Sequence, residues 1–384
     1  MSMRDRLNTA LFTARRSAIR EFSNLAAQTP DCIRLTLGEP DFDTPGPIRA
    51  AAAASLEAGE THYIPNNGLP ALRERIARYE RERHGLDYAP EDVIVTAGAT
   101  EAIFTALFGI LNPGDEVIVP SPSFVLYEEI VNLCRGVTVP LPTAAHAFQI
   151  RREALAACLS PRTKAIVLNS PHNPTGTVYD KDSLDAVYSA VKGRDIFVLC
   201  DDVYRDLCYI PGYRSFAQFA DLRAQILAVQ SFSKSWAMTG WRMGWLMADE
   251  SVRERLELIH QYMVTSTPAP FQAACIAALD QDPAPMVREY ARRRALVLER
   301  LSAMGLDAPS PAGAFYVFPS IARFGTGSVA FCTRLLREAK VAVTPGAAFG
   351  CDDRVRISYC CDRAELERGL DRLESFLSTL EVNA

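Results

Sequence analysis

Ile226-Leu227-Ala228-Val229-Gln230-Ser231-Phe232-Ser233-Lys234-Ser235-Trp236-Ala237-Met238-Thr239-Gly240-Trp241-Arg242-Met243-Gly244 is the stretch on which the reading of this chain turns. Its first four residues form a continuous apolar run, the pattern of a buried strand. Hydroxyls, one amine and one fixed cation follow at once. Lys234 therefore stands just past a strand end among small hydroxyl residues, with Arg242 eight positions on. An amine, hydroxyls and a cation in so short a span suit a phosphorylated aldehyde cofactor. Lys234 would form the Schiff base while Ser231, Ser233 and Arg242 hold the phosphate.

Residue usage sharpens this. The chain has 41 basic residues, of which five are lysines: Lys164, Lys181, Lys192, Lys234 and Lys340. Arginine is used wherever any cation will serve. It stays protonated and cannot form an imine, whereas lysine can lose its proton in a suitable pocket. Moving a lysine from about 10.4 to about 7 costs roughly 4 kcal/mol, which nearby positive charge can supply.

The 384 residues suffice for a large core and two domains. Hydrophobic content of 48% and charged content of 23% are those of an ordinary globular protein. A net charge of −5 argues against a nucleic-acid partner, which needs a basic face. The start, Met-Ser-Met-Arg-Asp-Arg, has no apolar signal core, and no run long enough to cross a membrane follows. The ten cysteines lack metal spacing, and Cys134, Cys200 and Cys275 sit in apolar runs as small hydrophobes of a reducing compartment. The five histidines form no HExxH-like pair, so no metal is expected. These features predict a cytoplasmic protein.

Outward from the lysine, the pattern alternates. Strands are predicted at residues 93–96, 117–119, 137–139, 165–168, 196–199 and 226–229, with 245–248 as an antiparallel edge strand. Helices are predicted near 47–56, 72–79, 99–111, 124–134, 151–158, 181–192, 215–220 and 252–263, and a leading helix or two over 4–29. Continuously apolar strands with long crossovers imply a largely parallel sheet covered on both faces. Ligands of such sheets bind at the carboxyl ends of the strands, and the polar motifs fall there. The last hundred residues, with strands near 314–318, 341–343 and 354–358, read as a separate α+β unit.

Three motifs stand at those strand ends. Ala97-Gly98-Ala99-Thr100 opens a helix and presents free N–H groups, a ready anion site. Asn169-Ser170-Pro171-His172-Asn173-Pro174-Thr175-Gly176 follows the strand ending at Leu168. Asp201-Asp202-Val203-Tyr204 ends the next strand. An acid there is costly unless paired. Asp201 would pair with a protonated pyridine nitrogen, with Asn173 and Tyr204 donating to the ring oxygen. A helix N-cap would use the same carboxylate.

Taken with Leu37-Gly38-Glu39-Pro40-Asp41-Phe42, Tyr63 with Gly68, Gly98-Ala99-Thr100-Glu101-Ala102, Gly240-Trp241-Arg242, Gly313-Ala314-Phe315-Tyr316 and Arg356-Ile357-Ser358-Tyr359, the chain resembles the class I/II aminotransferases of fold type I almost end to end. The resemblance implies an α/β fold: a large domain over residues 46–280 with a mostly parallel seven-stranded sheet between helices. Residues 1–45 and 281–384 would form the smaller α+β domain. It implies pyridoxal 5′-phosphate on Lys234, which would also move the substrate proton. It implies Asp201 on the pyridine nitrogen, Asn173 and Tyr204 on the ring oxygen, and Phe124 stacked on the ring. Gly98, Ala99, Thr100, Ser231, Ser233 and Arg242 would grip the phosphate. Tyr63 would reach the cofactor of a second copy, making a homodimer with shared sites. Arg356, helped by Gly38 and Asn173, would take the substrate α-carboxylate, a charge-assisted contact contributing roughly 1.5–3 kcal/mol. The implied reaction moves an amino group from an L-amino acid to a 2-oxo acid, 2-oxoglutarate being favoured, by a ping-pong mechanism. β-Elimination from a sulfur amino acid in the same site is the alternative. Related aspartate aminotransferases often carry lysine where this chain has Thr100. Threonine cannot pair with a second carboxylate, which argues against aspartate as preferred donor.

Overall fold

A computed structural model describes residues 2–14 and 18–380. After a short β1 (Ile33–Arg34), seven strands build one sheet: β2 (Val93–Thr96), β3 (Glu116–Ser121), β4 (Val137–Pro142), β5 (Thr163–Asn169), β6 (Phe197–Asp201), β7 (Ile226–Ser231) and β8 (Gly244–Met247). Their spatial order is β2-β8-β7-β6-β5-β3-β4. Pairings from β4 through β3, β5 and β6 to β7 are parallel, and β8 alone runs against its neighbours.

Each strand feeds both faces, as the two-residue period of a strand requires. Ile118, Ile166, Val198 and Ala228 face one core, under the helices Gly46–Glu57, Pro70–His84, Lys181–Val191 and Ala269–Ala278. Val117, Val167, Leu199 and Leu227 face the other, under Ala99–Ile110, Leu126–Leu133 and Glu250–Met263. With water excluded from both faces, a strand such as Ile226-Leu227-Ala228-Val229 has no reason to alternate with polar residues. Each fully buried Val, Leu or Ile side chain there contributes roughly 1.5–3 kcal/mol.

A separate core gathers Phe22, Ile33 and Leu35 with Val297, Phe315, Leu335, Ile357, Leu370 and Phe376. It is framed by β9 (Tyr316–Val317), β10 (Val341–Ala342), β11 (Thr344–Pro345) and β12 (Val355–Ser358), with helices Ala284–Ala303, Ser328–Ala339 and Arg363–Leu377. β1 pairs with β10 in parallel, and β12 lies between β11 and β9, antiparallel to both. Leu207, Val203 and Tyr204, from the loop beyond β6, also enter this core.

Three expectations need correction. Residues 244–247 form an antiparallel strand, but an interior one, between β7 and β2. All four of its residues are buried, so both of its flanks need partners. Residues 215–220 make no α-helix; Ser215 caps a single 3₁₀ turn, Phe216–Gln218, through the Ala217 N–H, and Phe219 (φ −77°, ψ 83°) breaks it off from the next. The leading segment opens as two 3₁₀ turns, Met3–Arg6 and Thr9–Phe12, because Asn8 takes the Ala10 N–H and restarts the chain. The α-helix there spans Ala18–Ala27, and residues 15–17 of the expected helix lie outside the described residues.

Candidate active site

The carboxyl ends of β5, β6 and β7 open into a cavity of about 510 Å³ that also touches the second core. Gly38, Ala99, Thr100, Phe124, Asn173, Asp201, Tyr204, Ser231, Ser233, Lys234, Arg242 and Arg356 all line it. Sequence positions more than 300 apart thus meet in one place. Gly98 stands just behind, as N-cap of the helix Ala99–Ile110 with φ +81°, and a Cβ there would meet the Arg242 guanidinium at 2.6 Å. Tyr63 is not brought in: it is 91% exposed, on the loop before the helix Pro70–His84.

Lys234 follows β7 in a loop closed at its base by Phe232 N–H donating to the Met243 carbonyl (3.1 Å). Ser231 Oγ caps the first turn by accepting from the Ser233 N–H at 3.0 Å and lies 2.8 Å from Ser233 Oγ. Lys234 Nζ donates to the Gly38 carbonyl at 2.5 Å. Burial pulls the ammonium down to about 8, and Arg242 and Arg356 push the same way against Cys360 and Glu39. At pH 7 about one amine in ten is then neutral, against fewer than about one in a thousand at the ordinary value. Covalent capture of pyridoxal phosphate needs the neutral form. Its rate in apo-protein is therefore expected to rise tenfold from about pH 6 to 7 and to level off above about pH 8. Stopped-flow absorbance across that range checks it; a rate still climbing tenfold per unit at about pH 9 would show an ordinary lysine.

Asp201 ends β6, buried, with Tyr127 donating to Oδ2 at 2.5 Å and the Val203 N–H to Oδ1 at 3.4 Å. Burial pushes its carboxyl up to about 6, against Tyr127, Val203 and the charge of Lys234. Its hydrogen-bond donors are neutral, so a cation delivered to this carboxylate would offset much of its desolvation. The β5–β6 register sets Asn169 opposite Asp201. Asn169 Nδ2 donates to the Asp201 carbonyl, and its Oδ1 accepts the Asn173 N–H, both at 2.9 Å.

Arg356, on β12, is 2% exposed and has no carboxylate partner among the described residues. Its Nη1 donates to Asn173 Oδ1 at 2.9 Å and its Nη2 to the Thr36 carbonyl at 2.7 Å, while Nε is buried without a partner. Tyr316 and Phe349 hold it by their rings, with centres 4.4 and 4.9 Å from the guanidinium carbon. A buried cation without a counterion is the mark of an anion site. Tyr204 and Tyr316 share a hydroxyl–hydroxyl bond of 2.9 Å, and a Cβ at position 38 would meet the Tyr316 hydroxyl at 2.1 Å. Glycine is required there by that approach.

These features fit pyridoxal phosphate. A neutralisable amine, a buried carboxylate without a cation, and a helix start with hydroxyls and an arginine each match one part of it.

Sequence reasoning missed several residues. Tyr127 lies in the first turn of the helix Leu126–Leu133, just after Phe124, whose ring it meets edge-on at 6.3 Å, and that nearness in sequence was the available signal. Tyr316 stood in a quoted motif without a role. Ile19, Arg20, Ser23 and Asn24, from the helix Ala18–Ala27, close the cavity's remaining side. Nothing local marks them, since only tertiary packing brings that helix here.

Residues 30–373 match the family described as aminotransferase class I and II. The probable N-acetyl-LL-diaminopimelate aminotransferase of Bacillus subtilis (strain 168) is 41% identical over 367 residues, covering 94% of this chain and 93% of that one. The aspartate aminotransferase of Pyrococcus abyssi is 38% identical over 388 residues, covering 98% of each. Among solved structures, Thermus thermophilus aspartate aminotransferase with maleate superposes with a TM-score of 0.92 at 37% identity, covering 96% of this chain and 99% of that one.

Proposed function

Because this chain belongs to the class I and II aminotransferases, enzymes that use pyridoxal phosphate, we propose that it moves the amino group of an L-amino acid to 2-oxoglutarate in two half-reactions within one site. The observation that carries this is the pairing of a depressed Lys234 with a buried, uncompensated Arg356 in one cavity. Pyridoxal phosphate supplies an aldehyde that takes up the amino group and a protonated ring that draws electrons from the α-carbon.

The chain's residues do the rest. Asp201 keeps the ring nitrogen protonated, with Tyr127 stabilising the carboxylate. Either hydroxyl of the Tyr204–Tyr316 pair can donate (2.9 Å); with Tyr316 as donor, Tyr204 would keep its own proton for the ring oxygen. Asn173 accepts from Arg356 through Oδ1 and keeps its amide N–H₂ for the same oxygen. Phe124 covers a ring face. Gly98, Ala99 and Thr100 offer N–H groups to the phosphate beside Ser231, Ser233 and Arg242. Arg356 binds the α-carboxylate, with Gly38 leaving room for it. Lys234 Nζ would take the proton from the α-carbon and deliver it to the former aldehyde carbon of the cofactor.

Residues 1–45 and 281–384 are taken as the part that closes on 46–280 and expels water. A homodimer is taken as the working unit: Tyr63, Phe108 and Tyr262 all stay exposed in a single chain. They project from neighbouring elements, since Asn66 in the Tyr63 loop is bonded to the Glu250–Met263 helix that packs on Ala99–Ile110. Thr100 carries no charge for a second carboxylate, so aspartate is placed behind amino acids with other side chains. No observation favours the elimination reading.

The test is the half-reaction. Holoenzyme mixed with single amino acids should lose its bound-aldehyde absorbance with the better donors, and 2-oxoglutarate should restore it. No loss with any proteinogenic amino acid would end the proposal. In the same assay Arg356→Ala should raise KM for every responding amino acid by roughly 10–100-fold, the loss of a charge-assisted pair; an unchanged KM would remove Arg356 from the site.

A further inference from the structure

His260, on the helix Glu250–Met263, is fully buried outside the cavity, and both of its ring nitrogens face acceptors. Nδ1 lies 2.9 Å from Glu101 Oε1, and Nε2 lies 2.7 Å from the Asn66 carbonyl oxygen. A carbonyl oxygen accepts and never donates, so Nε2 carries a proton. Glu101 Oε2 accepts the Ala97 N–H at 2.6 Å, and Oε1 also accepts the Thr105 hydroxyl at 3.1 Å. Burial pulls the imidazole down, but the bond to Glu101 and its charge outweigh that and hold it above its ordinary value. The pair is an acid and a base, hydrogen-bonded and buried side by side. Two apolar side chains would fill that space without burying any polar group.

What the pair connects explains its presence. Ala97 leads directly into Gly98, Ala99 and Thr100, the turn assigned to the phosphate. Asn66 lies three residues beyond Tyr63, in the loop assigned to the second copy. The next residue ties the loop to the strand that leads into this turn, Asn67 accepting the Val95 N–H (3.0 Å), and Leu69 N–H donates to Gln272 (2.8 Å). His260 holds the side nearer Tyr63, and through Glu101 its tie ends on the phosphate turn.

We propose that His260 and Glu101 are positioning residues, a side-chain strut that, beside the Asn67–Val95 backbone bond, sets the Tyr63 loop in register with the Ala97–Thr100 turn, so that the phosphate groups of one chain and the tyrosine it offers to its neighbour are placed together. This rests on the proposed homodimer, with Tyr63 reaching the cofactor of the second copy.

The experiment compares wild type, Glu101→Gln, His260→Gln and Tyr63→Phe as full-length dimers, alone and with Tyr63→Phe combined with each strut variant. Pyridoxal phosphate affinity is measured by titration of the apo-protein, with thermal unfolding in parallel. Glu101→Gln and His260→Gln should each weaken the cofactor about tenfold or more. Tyr63→Phe should add much less in either background than in wild type, since a displaced loop has already lost that contact. Unchanged affinity with a lowered Tm, strictly additive losses, or failure of both strut variants to fold would assign the pair to stability alone and overturn the proposal. Failure of wild type to bind pyridoxal phosphate would instead refute the underlying reading.

Discussion

Lys234→Ala is expected to lower turnover with every amino acid by on the order of 10⁴-fold, because in the proposed mechanism one nitrogen both captures the cofactor and carries the substrate proton. The geometry leaves no substitute. The other four lysines of the chain do not line the cavity, and its remaining cations are arginines, which neither form imines nor exchange protons at working pH. Lys234→Arg should fail as completely, despite keeping the charge. The phosphate contacts are untouched in both variants, so cofactor should still bind, without a covalent link. Borohydride reduction followed by peptide mass mapping checks this directly: the peptide holding Lys234 gains the cofactor mass in wild type and nothing in the variant. Activity within about tenfold of wild type in Lys234→Ala would refute the assignment.

Asp201→Asn is expected to cost roughly 10²–10³-fold in kcat, the range for loss of one preorganised charge in a dry site. The amide keeps the shape and can accept from Tyr127, but it cannot hold a proton on the ring nitrogen. Its effect on the apo-protein should have the opposite sign. The folded Asp201 sits at about 6, above its unfolded value. Stability from the protonated form is therefore complete below about pH 4 and lost as pH rises through about 6. Above that, wild-type apo-protein bears a buried charge costing on the order of 2–3 kcal/mol. Apo Asp201→Asn should then melt higher than wild type at about pH 8, and its stability should fall less between about pH 4 and 6. It should still fall, because burial also pushes the neighbouring Asp202 up to about 6. Equal melting temperatures in the two apo-proteins at that pH would show that Asp201 ionises without cost.

These two residues were legible in the sequence, and the reason is physical. A strand buried on both faces must be apolar to its end, so Asp201 after Cys200 and the hydroxyls after Val229 announce themselves as a change of chemistry at one rim of the sheet. Lysine scarcity picked out position 234. The position of β8 was not legible: Val93–Thr96 pairs with Gly244–Met247 across some 150 residues, and an apolar run carries no label for its partner. Tyr127 and Tyr316 were hidden for a related reason. Each acts through a hydroxyl bond to a residue about 74 or 112 positions away, and an aromatic in an apolar helix or strand looks like core. The wall formed by Ile19, Arg20, Ser23 and Asn24 depends on how an amphipathic helix docks, which its own pattern leaves open.

The closed loop between β7 and β8 has a consequence for how such a catalyst changes its diet. Lys234 and Arg242 are both carried on a link whose ends are pinned by neighbouring strands of one sheet. The spacing between the reactive amine and the phosphate cation is thus a local property, independent of what happens at the far wall of the cavity. On the proposed roles, exchanging residues of the Ala18–Ala27 helix that line this wall would alter which metabolite is admitted without moving Lys234 or Arg242. Novelty in substrate and constancy in reaction would then be separable, being written on different pieces of chain.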